Sequence, residues 1–278
     1  MYKRILTIQD ISCVGQCSLT VALPILSACG QEACILPSAV LSTHTGGFTG
    51  FTFRDLTEDI PAIRQHWEKE NINFDYIYTG YLGSLLQIGY VKDIFAVFAK
   101  NGCKTIVDPA MGDHGKLYPL FDEAYAAAMA ELCAQADIMI PNITEACFMT
   151  GHPYREEYDE AYVDELLAKL GAMGKGTVVL TGVGYSPDST GVVIYRNGQK
   201  WHYSHRQEPK SYHGTGDIFA SAFVGAVAGG KSMEDAAAIA AEYVALCIRK
   251  TIQDPDHWYG VKFEAALGDL IQMLKKMR

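Results

Sequence analysis

The chain has 278 residues, 49% hydrophobic and 20% charged, proportions that fit a globular protein and exclude gross disorder. Its 23 basic residues face 32 acidic ones, a net charge of −9 that leaves no surplus to neutralise nucleic acid or an anionic membrane. No apolar run reaches the roughly 18 residues of a membrane helix, and the N-terminal apolar run ends at Gln9 and Asp10, so a cytoplasmic location is expected. The eight cysteines include no Cys-x-x-Cys pair and no zinc-spaced histidines beside them, and they read as reduced thiols.

Residues 3–9 read as a first strand. Leu19, Ala22, Leu23 and Leu26 then fall at helical spacing within 18–28, with Ser18 as candidate N-cap. A strand over 31–37 and a helix over 56–70 follow. The strand over 76–79 runs into Gly80-Tyr81-Leu82-Gly83, and a helix over 84–100 stops at Asn101-Gly102. A strand over 104–107 ends at Asp108-Pro109. Next come a helix over 122–133, a strand over 138–140, helices over 144–149 and 157–170, and a strand over 177–181. Asn197-Gly198 marks a hairpin between 191–195 and 200–205. Helices over 216–227, 232–249 and 262–275 complete the chain.

This alternation predicts an α/β fold: a mostly parallel central sheet, helices on both faces and an antiparallel hairpin near one edge. Ligands in such sheets bind beyond the carboxyl ends of the strands. The residues to inspect are therefore Asp10, 44–47, 80–83, 108–113, 142–145, Thr181 and 213–217.

Two glycine motifs compete for a phosphate. Gly225 to Ser232 matches the P-loop spacing and would give a P-loop ATPase with Lys231 on the phosphates. That loop needs a strand before it, whereas 218–227 read as helix. Gly229-Gly230 then looks like a helix stop, and Ser232 like the next N-cap with Asp235 three residues on. His213-Gly214-Thr215-Gly216-Asp217 is the better site. Its glycines allow close backbone approach, and the first-turn amides of the following helix point at an anion. Asp217 in that turn reads either as a dipole-complementing cap or as a general base beside a transferring phosphoryl group.

Gly214-Thr215-Gly216-Asp217, Asp108-Pro109-Ala110-Met111-Gly112-Asp113 and Pro141-Asn142-x-x-Glu145 together resemble the ribokinase-like superfamily, and within it the vitamin B6 kinases. Ile8-Gln9, Ser42-Thr43-His44-Thr45-Gly46 and Gly80-Tyr81-Leu82-Gly83-Ser84 extend the resemblance, in order, over nearly the whole chain. The resemblance implies one three-layer ribokinase-like domain over 1–278, a homodimer, and transfer of the ATP γ-phosphate to the hydroxymethyl group of pyridoxal, pyridoxamine or pyridoxine. It makes Asp217 the general base and Gly214, Thr215 and Gly216 the anion hole. Asp108 and Glu145 fall on the Mg²⁺ and phosphate side, with Asp113 and Tyr118 near the phosphates and a monovalent cation such as K⁺. Asn142 and Thr181 line the nucleotide phosphates, and Asp10, Ser12, Thr45 and Tyr81 build the vitamer pocket.

One departure bears on specificity. Related pyridoxal kinases carry Ser after Ile-Gln, where this chain has Asp10, and a carboxylate there favours a cationic substrate such as pyridoxamine. His114-Gly115-Lys116 reads either as a mobile loop able to close over the phosphates or as an ordinary surface loop. His44 reads as a structural histidine. The rival functions are a hydroxymethylpyrimidine kinase or other small-alcohol kinase of the superfamily, the P-loop ATPase, and a non-catalytic vitamer-binding protein.

Overall fold

The computed structural model describes residues 2–100 and 102–276. One sheet of nine strands dominates. The strands are β1 (Arg4–Ser12), β2 (Glu32–Leu41), β3 (Phe53–Asp55), β4 (Tyr76–Thr79), β5 (Lys104–Val107), β8 (Ile138–Met139), β9 (Thr177–Thr181), β10 (Ser189–Arg196) and β11 (Gln199–Arg206), and a two-residue pair, β6 (Gly112–Asp113) and β7 (Lys116–Leu117), stands apart. The order across the sheet is β11-β10-β9-β8-β5-β4-β1-β2-β3. β9 through β2 pair in parallel, while β10, β11 and β3 run antiparallel at the two edges.

Side-chain alternation assigns the two faces. Leu6, Ile77, Val107 and Val178 point to one side, where α3 (Leu85–Phe98), α4 (Glu123–Gln135), α5 (Ile143–Thr150) and α6 (Glu160–Met173) bury their apolar stripes. Ile5, Tyr78, Ile106 and Val179 point to the other, against α1 (Leu19–Ala28), α7 (Thr215–Ala228), α8 (Met233–Ile252) and α9 (Leu267–Lys276). The central strands thus bury apolar side chains on both faces, as a parallel sheet covered by helices on each side requires. None of the helices among the described residues is long and apolar enough to cross a membrane.

The expected three layers and edge hairpin are present, with several differences. β3 is an additional edge strand, three exposed residues with no periodic signal of their own. The 56–70 helix splits into a 3₁₀ turn, Thr57–Asp59, and α2 (Ile60–Lys69), broken where Pro61 enters the first turn. β1 and β2 run on to Ser12 and Leu41, carrying Asp10 and Ser12 within a strand rather than beyond it. α6 starts at Glu160, where the Asp159 side chain accepts the Tyr162 amide. The stop expected at Asn101 lies outside the described residues.

The 112–117 segment is a hairpin and not an irregular loop. His114 (φ 49) and Gly115 (φ 74) form its turn, and the Gly115 amide donates to Thr144 Oγ1 at 2.9 Å, tying the tip to α5. Gly229 and Gly230 do close α7, and the Ser232 hydroxyl caps α8 by accepting the Asp235 amide at 3.0 Å. No strand precedes Gly225, so Lys231 lies between two helices and not on a phosphate loop.

Candidate active site

Parallel register aligns the strand ends. Ile8 pairs with Thr79, and Thr79 with Val107, so the next residues, Gln9, Gly80 and Asp108, form a row across β1, β4 and β5 on the α7 side. Gly80 is small because Gln9 fills its place: a Cβ there would lie 2.6 Å from Gln9 Oε1. The first turn of α7 comes near enough to this row for Asp217 to raise the Asp108 carboxyl.

Gly214 adopts φ 83, and a Cβ on it would stand 1.9 Å from the Gln16 carbonyl oxygen, so only glycine fits. The first helical hydrogen bond runs from the Ile218 amide to the Gly214 carbonyl at 3.0 Å. The amides of Thr215, Gly216 and Asp217 are left at the open helix end. A Cβ on Gly216 would meet nothing within 4 Å, so the first turn of the helix is open beside that residue. Positive amide dipoles at an open helix end make an anion site.

Asp217 adds a carboxyl to the same turn. Desolvation pushes it up to about 7, opposed by the Ser18 amide that it accepts and reinforced by nearby Asp10. A carboxyl near 7 is poised to take and release a proton at neutral pH.

Beside it lies an acidic cluster. Asp108 is buried and pushed well above the carboxylate range by desolvation, then by Glu145 and Asp217. Its Oδ1 accepts the Ala110 amide at 3.2 Å. Glu145 is also buried and pushed up to about 7, by desolvation first. Its Oε1 accepts the Met111 amide at 3.0 Å and its Oε2 the Asn142 amide at 2.8 Å, while Asn142 Oδ1 accepts the Glu145 amide. This capping box starts α5. Asn142 Nδ2 donates to the Gly112 carbonyl at 2.8 Å, so its carboxamide braces the hairpin. Thr181 bridges to Asn142 from β9, and its hydroxyl donates to the Pro141 carbonyl at 3.3 Å. Asp113 is exposed on the hairpin. Tyr118 is 40% exposed, and its phenol is raised by burial first and then by Glu145, Asp113, Asp217 and Asp108.

The third part lies at the end of β1. Asp10 is 5% exposed, and its Oδ2 accepts the Ser12 hydroxyl at 3.1 Å. Tyr81 is half-buried, its ring 5.4 Å from Phe121, and its phenol is pushed up to about 12 by burial and by Asp10. Thr45 is exposed in the loop between β2 and β3. A surface cavity of about 630 Å³, lined by Asp188, Arg206, Glu208 and Arg249 among others, holds none of these carboxyls.

The family model of phosphomethylpyrimidine kinase matches residues 26–260. The chain belongs to that family. Its relatives include the hydroxymethylpyrimidine/phosphomethylpyrimidine kinase of Bacillus subtilis, 28% identical over 77% of this chain and 78% of that one. The pyridoxal kinase of Arabidopsis thaliana is 26% identical over 90% and 83%. The solved pyridoxal kinase of Lactobacillus plantarum superposes with a TM-score of 0.89 at 33% identity, covering 98% and 96% of the two chains. A Bacteroides thetaiotaomicron protein crystallised with pyridoxal superposes with a TM-score of 0.91 at 37% identity, covering 96% and 95%. The ribokinase-like fold read from the motifs is the fold of this kinase family.

Within that fold, Asp10, Asp108, Glu145 and Asp217 act on one another through the chain Asp10–Asp217–Asp108–Glu145. Read from the sequence, Ser18 has only a capping role and Cys17 has no place in the site. Ser18 sits at the α1 N-cap with φ 54 and makes no cap bond with its side chain, contrary to expectation; its amide faces Asp217 instead. The thiol of half-buried Cys17 is raised by desolvation, Asp217 and Asp10. Neither residue carries a local pattern that announces this, because the loop conformation after β1 decides it. His44 is structural, as expected: Nδ1 accepts the Gly46 amide at 3.0 Å, which leaves Nε2–H to donate to the Tyr259 carbonyl at 2.8 Å.

Proposed function

We propose that this protein transfers the γ-phosphate of ATP to the 5′-hydroxymethyl group of a vitamin B6 vitamer. The observation that carries this is the Asp217 carboxyl, pushed up to about 7, in the same helical turn as three amides that precede the first helical hydrogen bond. Solved relatives add weight: the Bacteroides thetaiotaomicron protein was crystallised with pyridoxal, and a Leishmania donovani pyridoxal kinase sharing the fold holds ADP and pyridoxamine.

Asp217 accepts the hydroxyl proton as the substrate oxygen forms its bond to the γ-phosphorus. The bond from phosphorus to the β,γ-bridging oxygen breaks, and ADP leaves with that electron pair. The amides of Thr215, Gly216 and Asp217, with Gly214 as hinge, receive the charge on the phosphoryl oxygens. Asn142 and Thr181 hold the strand ends that flank the phosphates, and Asp113 and Tyr118 border them from the hairpin side. Asp10, Ser12, Thr45 and Tyr81 form the vitamer side, with Tyr81 offering a ring face.

The donors fit Mg²⁺. Asp108 and Glu145 are two buried, mutually repelling carboxyls, and hard oxygen ligands of this kind suit a cation that also keeps water and phosphate oxygens. These two residues would hold it; bound there, it neutralises charge on the phosphates. A K⁺ ion beside the Asp113 hairpin and assembly as a homodimer belong to the same reading.

A second reading keeps the mechanism and changes the substrate to hydroxymethylpyrimidine, which the family match and the Bacillus subtilis relative favour. ATP-dependent phosphorylation of pyridoxal, pyridoxamine, pyridoxine and hydroxymethylpyrimidine, with wild type and Asp217→Asn side by side, separates them. Turnover of a B6 vitamer that collapses in the variant is expected. Turnover of the pyrimidine alone selects the second reading, and binding without ATP consumption selects a vitamer-binding protein.

A further inference from the structure

Asp10 and Asp217 form a pair of acids without a basic partner. Neither takes part in any of the ion pairs found among the described residues. Burial pushes the Asp10 carboxyl above its ordinary value, opposed by the hydroxyls of Ser18 and Ser12, its own backbone and His44. Besides burial, the groups acting on Asp217 are the Ser18 amide and Asp10. The remaining groups coupled to Asp10, Tyr81 and Cys17, are uncharged at neutral pH, because burial raises both. His44 is neutral as well: its Nδ1 is occupied as an acceptor, and burial lowers its affinity for a proton.

A buried carboxylate is costly unless a cation meets it. Among the described residues these acids meet hydroxyls and no ion-pair partner, so charge balance is left to what binds. The bridge between Ile11 and Ser18 and the packing of Gly214 on the Gln16 carbonyl bring the end of β1 to the first turn of α7, so a ring that presents its hydroxymethyl to Asp217 can present the adjacent substituent to Asp10. Among the B6 vitamers, only pyridoxamine carries a protonated amine on that adjacent carbon; pyridoxal has an aldehyde there and pyridoxine an alcohol. Resting on the kinase reading above, we propose that Asp10 is a specificity residue that selects the vitamer with an ammonium group next to its hydroxymethyl, making pyridoxamine the preferred substrate. Ser12 and Ser18 orient the Asp10 carboxylate, since each hydroxyl donates to it and leaves a lone pair for the ammonium.

The test is kcat/KM for pyridoxamine, pyridoxal and pyridoxine at one pH near neutrality, in wild type, Asp10→Asn and Asp10→Ser. Wild type is expected to favour pyridoxamine over pyridoxine by about tenfold or more, the scale of one hydrogen bond to a charged group. Asp10→Asn keeps the shape and is expected to cut the pyridoxamine-to-pyridoxine ratio by about 10- to 100-fold. Asp10→Ser, which keeps a hydroxyl and removes the charge, is expected to lower the same ratio. Wild-type turnover without a preference for pyridoxamine overturns the inference and leaves the kinase standing. So do equal losses for all three vitamers in Asp10→Asn, the pattern of a carboxylate on the shared ring nitrogen. No turnover of any vitamer overturns the kinase reading and this inference together.

Discussion

The carboxyl of Asp217, in the first turn of α7, accepts the backbone amide of Ser18, a non-glycine residue held at φ 54 at the start of α1. The contact joins the two loops that bound the site and fixes which way the carboxyl faces. A side chain that only capped its own helix would need no such partner.

If Asp217 is the general base, its charged form drives the reaction. With the carboxyl at about 7, kcat/KM is expected to rise with pH up to that value and level off above it. Asp217→Asn is expected to lower kcat by about 100-fold or more and to remove this acidic limb. A variant that keeps the same pH limb places the base elsewhere. Nucleotide binding by calorimetry should persist in the variant, because the amides of the turn remain.

The same shift has a consequence for stability. A carboxyl raised from 3.8 to about 7 binds its proton more tightly in the folded chain than in the unfolded one. Its contribution is therefore favourable at low pH and declines as pH rises from 3.8 to 7. Asp217→Asn removes the decline while keeping an oxygen for the Ser18 amide. The melting temperature of the variant relative to wild type should climb across that interval and flatten above it. A difference constant with pH contradicts the shift.

Gly214 and Gly216 separate fold from function. Gly214→Ala puts a Cβ 1.9 Å from the Gln16 carbonyl at φ 83, so backbone must move; a loss of about 1–3 kcal/mol in urea unfolding is expected, together with loss of activity. Gly216→Ala meets no protein atom within 4 Å. It should fold normally, apart from a helix-propensity gain of up to about 1 kcal/mol. Its KM for ATP should rise, since the new methyl stands where the phosphates belong. Equal ATP affinity in Gly216→Ala and wild type moves the anion site away from this turn.

Much of this was legible in the residues. β4, β5 and β9 match their expected limits because each is a short apolar run between polar turns. The phosphate turn was legible because glycine spacing and a helix start coincide at 214–217. What escaped was set by tertiary contact. β3 exists only by pairing Phe53–Asp55 with 39–41, and Phe53, Arg54 and Asp55 carry no alternation of their own. Asn142 reads as a phosphate ligand from its motif, yet its carboxamide is engaged by Gly112 and Glu145, which no spacing rule foretells.

Lys231 tests the rival nucleotide site. Its amide donates to the Ala226 carbonyl at 3.1 Å at the end of α7, in a helix-stop turn closed by Gly230 at φ 96. Lys231→Ala is expected to leave kcat and KM for ATP within about twofold of wild type, as for most substitutions away from a site. Loss of ATP turnover in this variant with the fold intact reinstates the P-loop.

Glu145 joins stability and the metal side in one group. Each of its oxygens accepts a backbone amide, from Met111 at 3.0 Å and from Asn142 at 2.8 Å. In Glu145→Gln one oxygen still accepts, but the NH₂ must face the other amide, and a buried donor goes unpaired. The expected cost is about 1–3 kcal/mol in the urea unfolding free energy. The substitution also removes the carboxyl that repels Asp108, so the Asp108 carboxyl moves back toward its ordinary range. If these two acids hold Mg²⁺, the Mg²⁺ concentration for half-maximal activity rises in Glu145→Gln, in addition to the loss of stability. A stability loss with unchanged Mg²⁺ dependence makes Glu145 a cap for α5 and leaves Asp108 as the cation's side chain.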